Sequence, residues 1–346
     1  MGGLEIRMRR AWQGRISGCQ LGKPVEILSI LRGHDALAAY LREAGALPLR
    51  DYVAHREHPD VRGDWCRGGF ARSEPDDDVN YSFLALLMLE QFGLGLTTED
   101  VARTWLRLLP VGQTFTAERA AYGMLLARGH ERFADGHALG FDVTECGDNR
   151  YNEWIGAQIR ADVYGWVTPG RPALAADLAR RDAMLSHRGD GVHGAAFVAA
   201  FGAALGTHAP DAAFTLALDE LPEGSGAAEA ARYGRSLAGR ADGGAAIRER
   251  YRALSPVHTI NNLALVVWAL FSHLDDFGAA IGDHVAGLDT DCNGATVGAL
   301  WALQGGDVPE RWTAPWNARV GLSLAGHEEI SLDALAARTA AVAARL

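Results

Sequence analysis

Apolar residues recur at steps of three and four along much of the chain, a spacing that places them on one face of a helix. Phe83, Leu84, Leu87 and Met88 take up this step directly after a run of three aspartates. Residues 195–205 are small and apolar and predict a closely packed helix. Residues 257–274 are apolar nearly all round and predict a central buried helix, while 334–346 read as an amphipathic helix that closes the fold. No segment alternates convincingly with period two, so no strand is predicted. Breaks fall at Gly and Pro clusters, at 45–48, 67–69, 168–172 and 305–306. The stretch 224–244 carries several glycines without low-complexity character. Nothing resembles an interdomain linker or a repeat of fixed period. The expected fold is all-α, a compact multi-helix bundle forming a single domain over residues 1–346.

Composition narrows the function classes. Hydrophobic residues make up 48% of the 346 positions and charged residues 22%, ordinary values for a globular protein. The net charge of −10 argues against a nucleic-acid surface and against docking to anionic lipid. Cys19, Cys66, Cys146 and Cys292 are widely spaced with no CxxC pair, so neither a zinc ribbon nor a disulfide framework is expected. The N-terminus has no apolar signal-peptide core, and the longest apolar stretch, at 263–271, is too short to span a bilayer. The expected location is the cytoplasm.

Two aspartate clusters carry the candidate chemistry. Asp76, Asp77 and Asp78 precede a helix. One aspartate suffices to cap a helix, where the dipole favours negative charge by roughly 0.3–1 kcal/mol, and three adjacent carboxylates exceed that need. Asp289 and Asp291 precede a helix expected at 295–304. Each cluster alone reads either as a capped turn or as a set of hard oxygen ligands for Mg²⁺ or Mn²⁺. They lie more than two hundred residues apart, and a site holding all five carboxylates would need cations to balance them.

Other motifs are weaker. Gly14, Gly18 and Gly22 stand at steps of four and form a smooth helix face for packing, as do Gly294 and Gly298. Glu26 follows Pro24 at the end of that stretch, where a carboxylate is usually solvated. Asn152 and Glu153, with His187, Gly189, Asp190 and Gly191 some thirty residues on, could contact a ligand, although His187 reads equally as a structural histidine. Asn261 or Asn262 could tie helix ends together.

In their order these motifs resemble the ADP-ribosylglycohydrolase family, from about residue 14 to residue 325. The family pattern G-x-x-x-G-D-A-x-G-x-P-x-E is similar to residues 14–26, with Glu26 on the family glutamate and Cys19 where the family has aspartate. The metal motif T-D-D-T resembles residues 76–79, with Asp76 at the hydroxyl position and Asp77 and Asp78 at the aspartates. The closing D-x-D-T/S resembles residues 289–292, with Cys292 in place of the hydroxyl. The segments PDDDVNY and DTDCNGATVG look like those of a bacterial subgroup, which tends to have Asn where this chain has Asp190.

The resemblance implies an all-α fold with a dinuclear metal cleft. Two Mg²⁺ or Mn²⁺ ions would be held by Asp76, Asp77, Asp78, Asp289, Asp291 and Cys292. Glu26, Asp77 and Asp291 would be catalytic. Asn152, Glu153, His187, Gly189, Asp190 and Gly191 would contact the substrate. The implied activity is hydrolysis of a ribosyl glycosidic bond in an ADP-ribosylated or ribosylated substrate, by a monomer. The alternatives are an N-glycosidase acting on a small nucleoside-type metabolite, a non-catalytic ADP-ribose-binding relative, and a metal-dependent phosphoesterase.

Overall fold

The computed structural model describes residues 2–129, 139–284 and 287–346. In chain order the helices are α1 (Gly3–Gly22), α2 (Glu26–Glu43), α3 (Asp77–Phe92), α4 (Thr98–Leu108), α5 (Thr116–Gly129), α6 (Asp162–Trp166), α7 (Pro172–Ala183), α8 (Gly189–Ala204), α9 (Pro210–Leu218), α10 (Gly226–Ser236), α11 (Gly243–Arg250), α12 (Thr259–Ser272), α13 (Phe277–His284), α14 (Thr290–Leu303) and α15 (Glu310–Thr313). An antiparallel hairpin of β1 (Arg319–Leu324) and β2 (His327–Ser331) follows, and then α16 (Leu332–Arg345). The fold is all-α apart from that hairpin. None of the helices described is long and apolar enough to cross a membrane.

The closest packing in the molecule follows from the glycine stripes. α1 runs antiparallel to α14, and a Cβ placed on Gly14 would lie 2.0 Å from the Gly298 carbonyl oxygen. On Gly18 it would lie 1.9 Å from the Gly294 carbonyl oxygen, and on Gly22 2.2 Å from that of Thr290. No side chain fits in this seam, so the two helix backbones touch along just over two turns. The seam sets the distance between the residue 19–26 region and the start of α14.

The buried helix expected at 257–274 is α12, whose residues from Asn261 to Phe271 are all buried. Aromatic rings fill the rest of the core. Trp12 packs edge-on against Trp166 with centroids 4.9 Å apart, and its indole nitrogen donates to Thr339 Oγ1 at 2.9 Å. That bond ties α16 across α1, as expected of a closing helix.

The hairpin was not anticipated, because the alternation of Val320, Leu322 and Leu324 spans only five residues and β2, His327–Ser331, is mostly polar. It does positional work. Ser73 N–H donates to the Arg319 carbonyl, and Gly321 N–H donates to the Ser73 carbonyl. Asn80 donates to Ser323 Oγ at 2.7 Å and accepts from Ser323 N–H at 2.9 Å. The loop ahead of Asp76 and the first turn of α3 are thereby fixed to one strand.

Candidate metal centre

Three chain segments converge on one acidic centre. The turn after α1 brings Lys23 and Glu26, the N-terminus of α3 brings Asp76, Asp77 and Asp78, and the N-terminus of α14 brings Asp289, Asp291 and Cys292. α14 begins at Thr290, one turn earlier than the expected 295, so Asp291 and Cys292 lie inside its first turn. Negative charge in a first turn is favoured by the helix dipole, and that preference carries the helix back to the aspartates.

The possible ligand atoms form three overlapping groups, each with its atoms within 4.8 Å of one another: Cys19, Asp76 and Asp78; Asp78, Asp291 and Cys292; and Glu26, Asp289 and Asp291. Asp78 and Asp291 link the groups into a continuous row. Asp76, Asp78, Asp289 and Asp291 are all buried. Glu26 and Asp77 keep partial exposure, so they are the two carboxylates of the centre that a substrate can reach.

Asp76 is the N-cap of α3: its Oδ1 accepts from Asp78 N–H at 3.0 Å. Its Oδ2 pairs with Lys23 Nζ at 2.5 Å. Burial opposes ionisation of Asp76, but the lysine prevails and holds the carboxyl down at about 2. Asp78 is held from behind by Arg15, which reaches its Oδ1 at 3.1 Å and its carbonyl at 2.8 Å. Arg15 also binds Asp162 Oδ2 at 2.7 Å and the Ile159 carbonyl. Sequence reasoning missed Arg15 and Lys23. A lone cation among small and apolar residues at a buried helix end was the available signal, since buried cations demand partners.

Asp289 occupies the N-cap position of α14 yet makes no capping hydrogen bond, and its buried Oδ1 has no hydrogen-bond partner among the described residues. The buried Oδ2 of Asp78 has none either. An unsatisfied buried carboxylate oxygen costs stability unless a ligand completes it. Burial first, and then Glu26, Asp76, Asp289 and Asp78, push the Asp291 carboxyl well up. Burial followed by neighbouring Asp76 and Asp78 does the same to Asp77. Glu26 is raised to about 8 by burial and then by Asp289 and Asp76. Crowded carboxylates with raised values and orphaned oxygens fit a hard divalent cation, whose charge relieves the repulsion and whose coordination shell takes the free lone pairs. The Cys292 thiol, pushed up by burial and by Asp289, is a softer donor in the same row.

Asn262 ties the centre to its surroundings. Its Oδ1 accepts from Asp289 N–H at 3.3 Å and from Asn293 Nδ2 at 2.7 Å, and its Nδ2 donates to the Pro256 and His258 carbonyls, each at 2.8 Å. The same first turn of α12 holds the 152–154 segment, because Thr259 N–H donates to the Glu153 carbonyl at 3.0 Å and Thr259 Oγ1 to that of Trp154 at 3.0 Å.

The remaining sequence candidates cluster at the start of α8. Glu153 Oε1 accepts from Asp190 N–H at 3.2 Å. Asp190 Oδ1 accepts from Ala227 N–H at 2.9 Å, at the start of α10, and contacts His193 Nδ1 at 3.1 Å. Gly189 and Gly191 are close-approach positions: a Cβ on Gly189 would lie 2.4 Å from Glu153 Oε1, and one on Gly191 2.4 Å from the Asn152 carbonyl. His187 is fully buried, with Nδ1 at 2.8 Å from Ser186 Oγ. Burial, and then Arg160, hold His187 well below the usual histidine range, so it is neutral.

The architecture and its acidic row define an all-helical protein with a carboxylate-lined centre suited to a metal ion. The sequence match extends this: the ADP-ribosylglycohydrolase family matches residues 3–343. The chain belongs to the ADP-ribosylglycohydrolase family, a family of hydrolases that cleave glycosidic bonds. A solved structure described as an ADP-ribosylglycohydrolase-related protein complex is similar in fold, with a TM-score of 0.60 at 18% identity, over 99% of this chain and 100% of that one. No curated protein matches this chain.

Proposed function

We propose that this protein hydrolyses a ribosyl glycosidic bond with the help of Mg²⁺ or Mn²⁺, and that its substrate is an ADP-ribosylated or ribosylated molecule. The observation that carries this reading is the pair of orphaned, buried carboxylate oxygens, Asp78 Oδ2 and Asp289 Oδ1, in a row of acids at two helix starts. Asp78, Asp289 and Asp291 would hold the metal, with Glu26 beside them and the Cys292 thiol as a further donor, while Asp77 lies outside the three ligand groups. When bound there, a divalent ion supplies positive charge to sugar hydroxyls and to the attacking water.

The remaining work falls to the chain. Bond cleavage builds positive charge at the ribosyl carbon and negative charge on the leaving atom, so a proton donor at that atom lowers the barrier. Glu26 is partly exposed, and in the metal-free protein burial and then Asp289 and Asp76 raise its carboxyl to about 8. It is the group suited to donate to the leaving atom and then to deprotonate water as base. Asp77, the other reachable carboxylate, faces the same substrate. The buried acids stabilise the developing cation electrostatically.

A second reading, a nucleoside-type substrate without phosphate, is supported by the start of α8. Helix starts attract phosphate, but here the Glu153 carboxylate takes the Asp190 amide and Asp190 adds its own charge. The test is turnover of ADP-ribosylated peptides, ADP-ribosyl esters and a nucleoside panel with Mn²⁺, against a chelator control. Asp291→Asn protein, still folded, is expected to lose at least about a hundredfold in rate. Full turnover by that variant, or metal-dependent ADP-ribose binding with no hydrolysis of any substrate, would sink the catalytic assignment.

A further inference from the structure

We propose that the Lys23 ammonium is a built-in cation of the acidic centre: it fills the corner formed by Asp76 and Cys19, so that Asp76 orders the site without ligating metal. The inference rests on the metal reading above and assigns its geometry residue by residue. Of the three ligand groups, only the one formed by Cys19, Asp76 and Asp78 has an ion pair with Lys23; Arg15 meets Asp78, which that group shares with the second. Both oxygens of Asp76 are committed, Oδ1 to Asp78 N–H at 3.0 Å and Oδ2 to Lys23 at 2.5 Å. Asp78 turns its Oδ1 to Arg15 at 3.1 Å. The third member of the group is a thiol, a poor partner for Mg²⁺. The protein therefore satisfies this corner by itself.

The opposite end of the row is different. The orphaned oxygens of Asp78 and Asp289 belong to the groups that include Asp291; Asp78 meets Arg15 only through its other oxygen, and the described residues give Glu26, Asp289 and Asp291 no lysine or arginine ion pair. Divalent ions are thereby confined to the end that carries Glu26, Asp289 and Asp291. Lys23 is not free to swing aside. It is 8% exposed, follows the closely packed Gly22 and precedes Pro24, and its Nζ lies 4.4 Å from the centre of the Trp65 ring. Arg62 lies 4.4 Å from the same ring, so Trp65 is held within its own segment by Arg62 and rests on the lysine through one cation–π contact.

The test is a Mn²⁺ titration of the full chain, followed by electron paramagnetic resonance and calorimetry, with circular dichroism to check folding. The proteins are wild type, Lys23→Met and the double variant Lys23→Met/Asp76→Asn. Lys23→Met frees the Asp76 carboxylate and is expected to bind one more ion per chain than wild type. The double variant removes both partners and leaves no unpaired buried charge. It is expected to keep the wild-type ion count and an affinity within about threefold. Loss of an ion, or a more than tenfold weaker affinity, in the double variant makes Asp76 a ligand and overturns the proposal, even if Lys23→Met does not fold. An unchanged ion count in folded Lys23→Met overturns it as well. A wild-type protein that binds no Mn²⁺ would instead remove the metal reading itself.

Discussion

Two buried polar clusters in this molecule contain the same residue types and differ in how they are completed. Around Arg160, every guanidinium nitrogen has an acceptor: Nε donates to Asp182 Oδ1 at 2.9 Å, Nη1 to Glu118 Oε1 at 2.7 Å and Nη2 to Ser186 Oγ at 2.9 Å. Tyr164 closes the other Asp182 oxygen at 2.8 Å. Around Asp291, two carboxylate oxygens are left without a partner among the described residues, and their neighbours are other acids. The first cluster joins α5, α6 and α7 through paired charges, and only the neutral His187 Nε2 beside Glu118 is left without a hydrogen-bond partner among the described residues. The second is incomplete without a cation. Buried charge that the protein satisfies holds the fold, whereas buried charge it leaves open marks a place for something else.

Removing one partner from the closed cluster should have the largest effect. Arg160→Met leaves Glu118 and Asp182 buried without their cation and is expected to cost about 3–5 kcal/mol in a denaturant titration. Turnover per folded molecule should change little. If the variant loses activity while keeping its midpoint, the Arg160 cluster belongs to the site and the contrast fails. Next in size is Asn262→Ala. Asn262 touches no proposed substrate but fixes the Asp289 amide and Asn293. Losing such an outer support typically weakens metal affinity about 10–100-fold, to be read in a Mn²⁺ titration, with the ion count unchanged.

These two variants also show what was legible in the sequence. Local patterns were. The glycine steps at 14, 18 and 22 read as a packing face and became the backbone seam against α14. The apolar run at 257–274 became α12. The two aspartate clusters read as one site only through the family motif order, since no local rule brings together residues more than two hundred positions apart. Their supports were not legible. Arg15 reaches Asp78 across 63 positions, Lys23 reaches Asp76 across 53, and Asn262 reaches Asn293 across 31. Pairings of that range depend on the tertiary fold and leave no periodic trace. The hairpin escaped for a local reason: its strands have only six and five residues, too short for their alternation to stand out.

The open cluster should respond to neutralisation with the opposite sign to the closed one. In the metal-free protein Asp291 is raised well above its ordinary value by burial and by its acidic neighbours, so its ionisation opposes folding at neutral pH. Removing the charge removes that opposition. Asp291→Asn is expected to stabilise the chelated protein by about 0.5–2 kcal/mol, as substitutions at functional sites can, while abolishing the rise in Tm that Mn²⁺ gives wild type. A destabilised Asp291→Asn would mean that the centre is closed by contacts of its own, and the two clusters would then be alike.

The smallest effect tests the region between the two clusters. Asp190 caps the start of α10 through Ala227 N–H and meets His193. Burial opposes its ionisation, but the hydrogen bonds from His193 and Ala227 outweigh it and hold the carboxyl below the usual range. A lowered folded value contributes stability above the unfolded value of about 3.9 and loses it as pH falls through the folded value. Asp190→Ala should therefore cost about 1 kcal/mol at neutral pH, the usual worth of a lost cap, and the deficit should shrink below about pH 4. The same variant removes a negative charge from the start of α8. If phosphate-bearing substrates then gain in kcat/KM relative to nucleosides, the aspartate has been excluding phosphate. If the ratio does not move, Asp190 is a cap only, and the preference between the two substrate classes is set elsewhere.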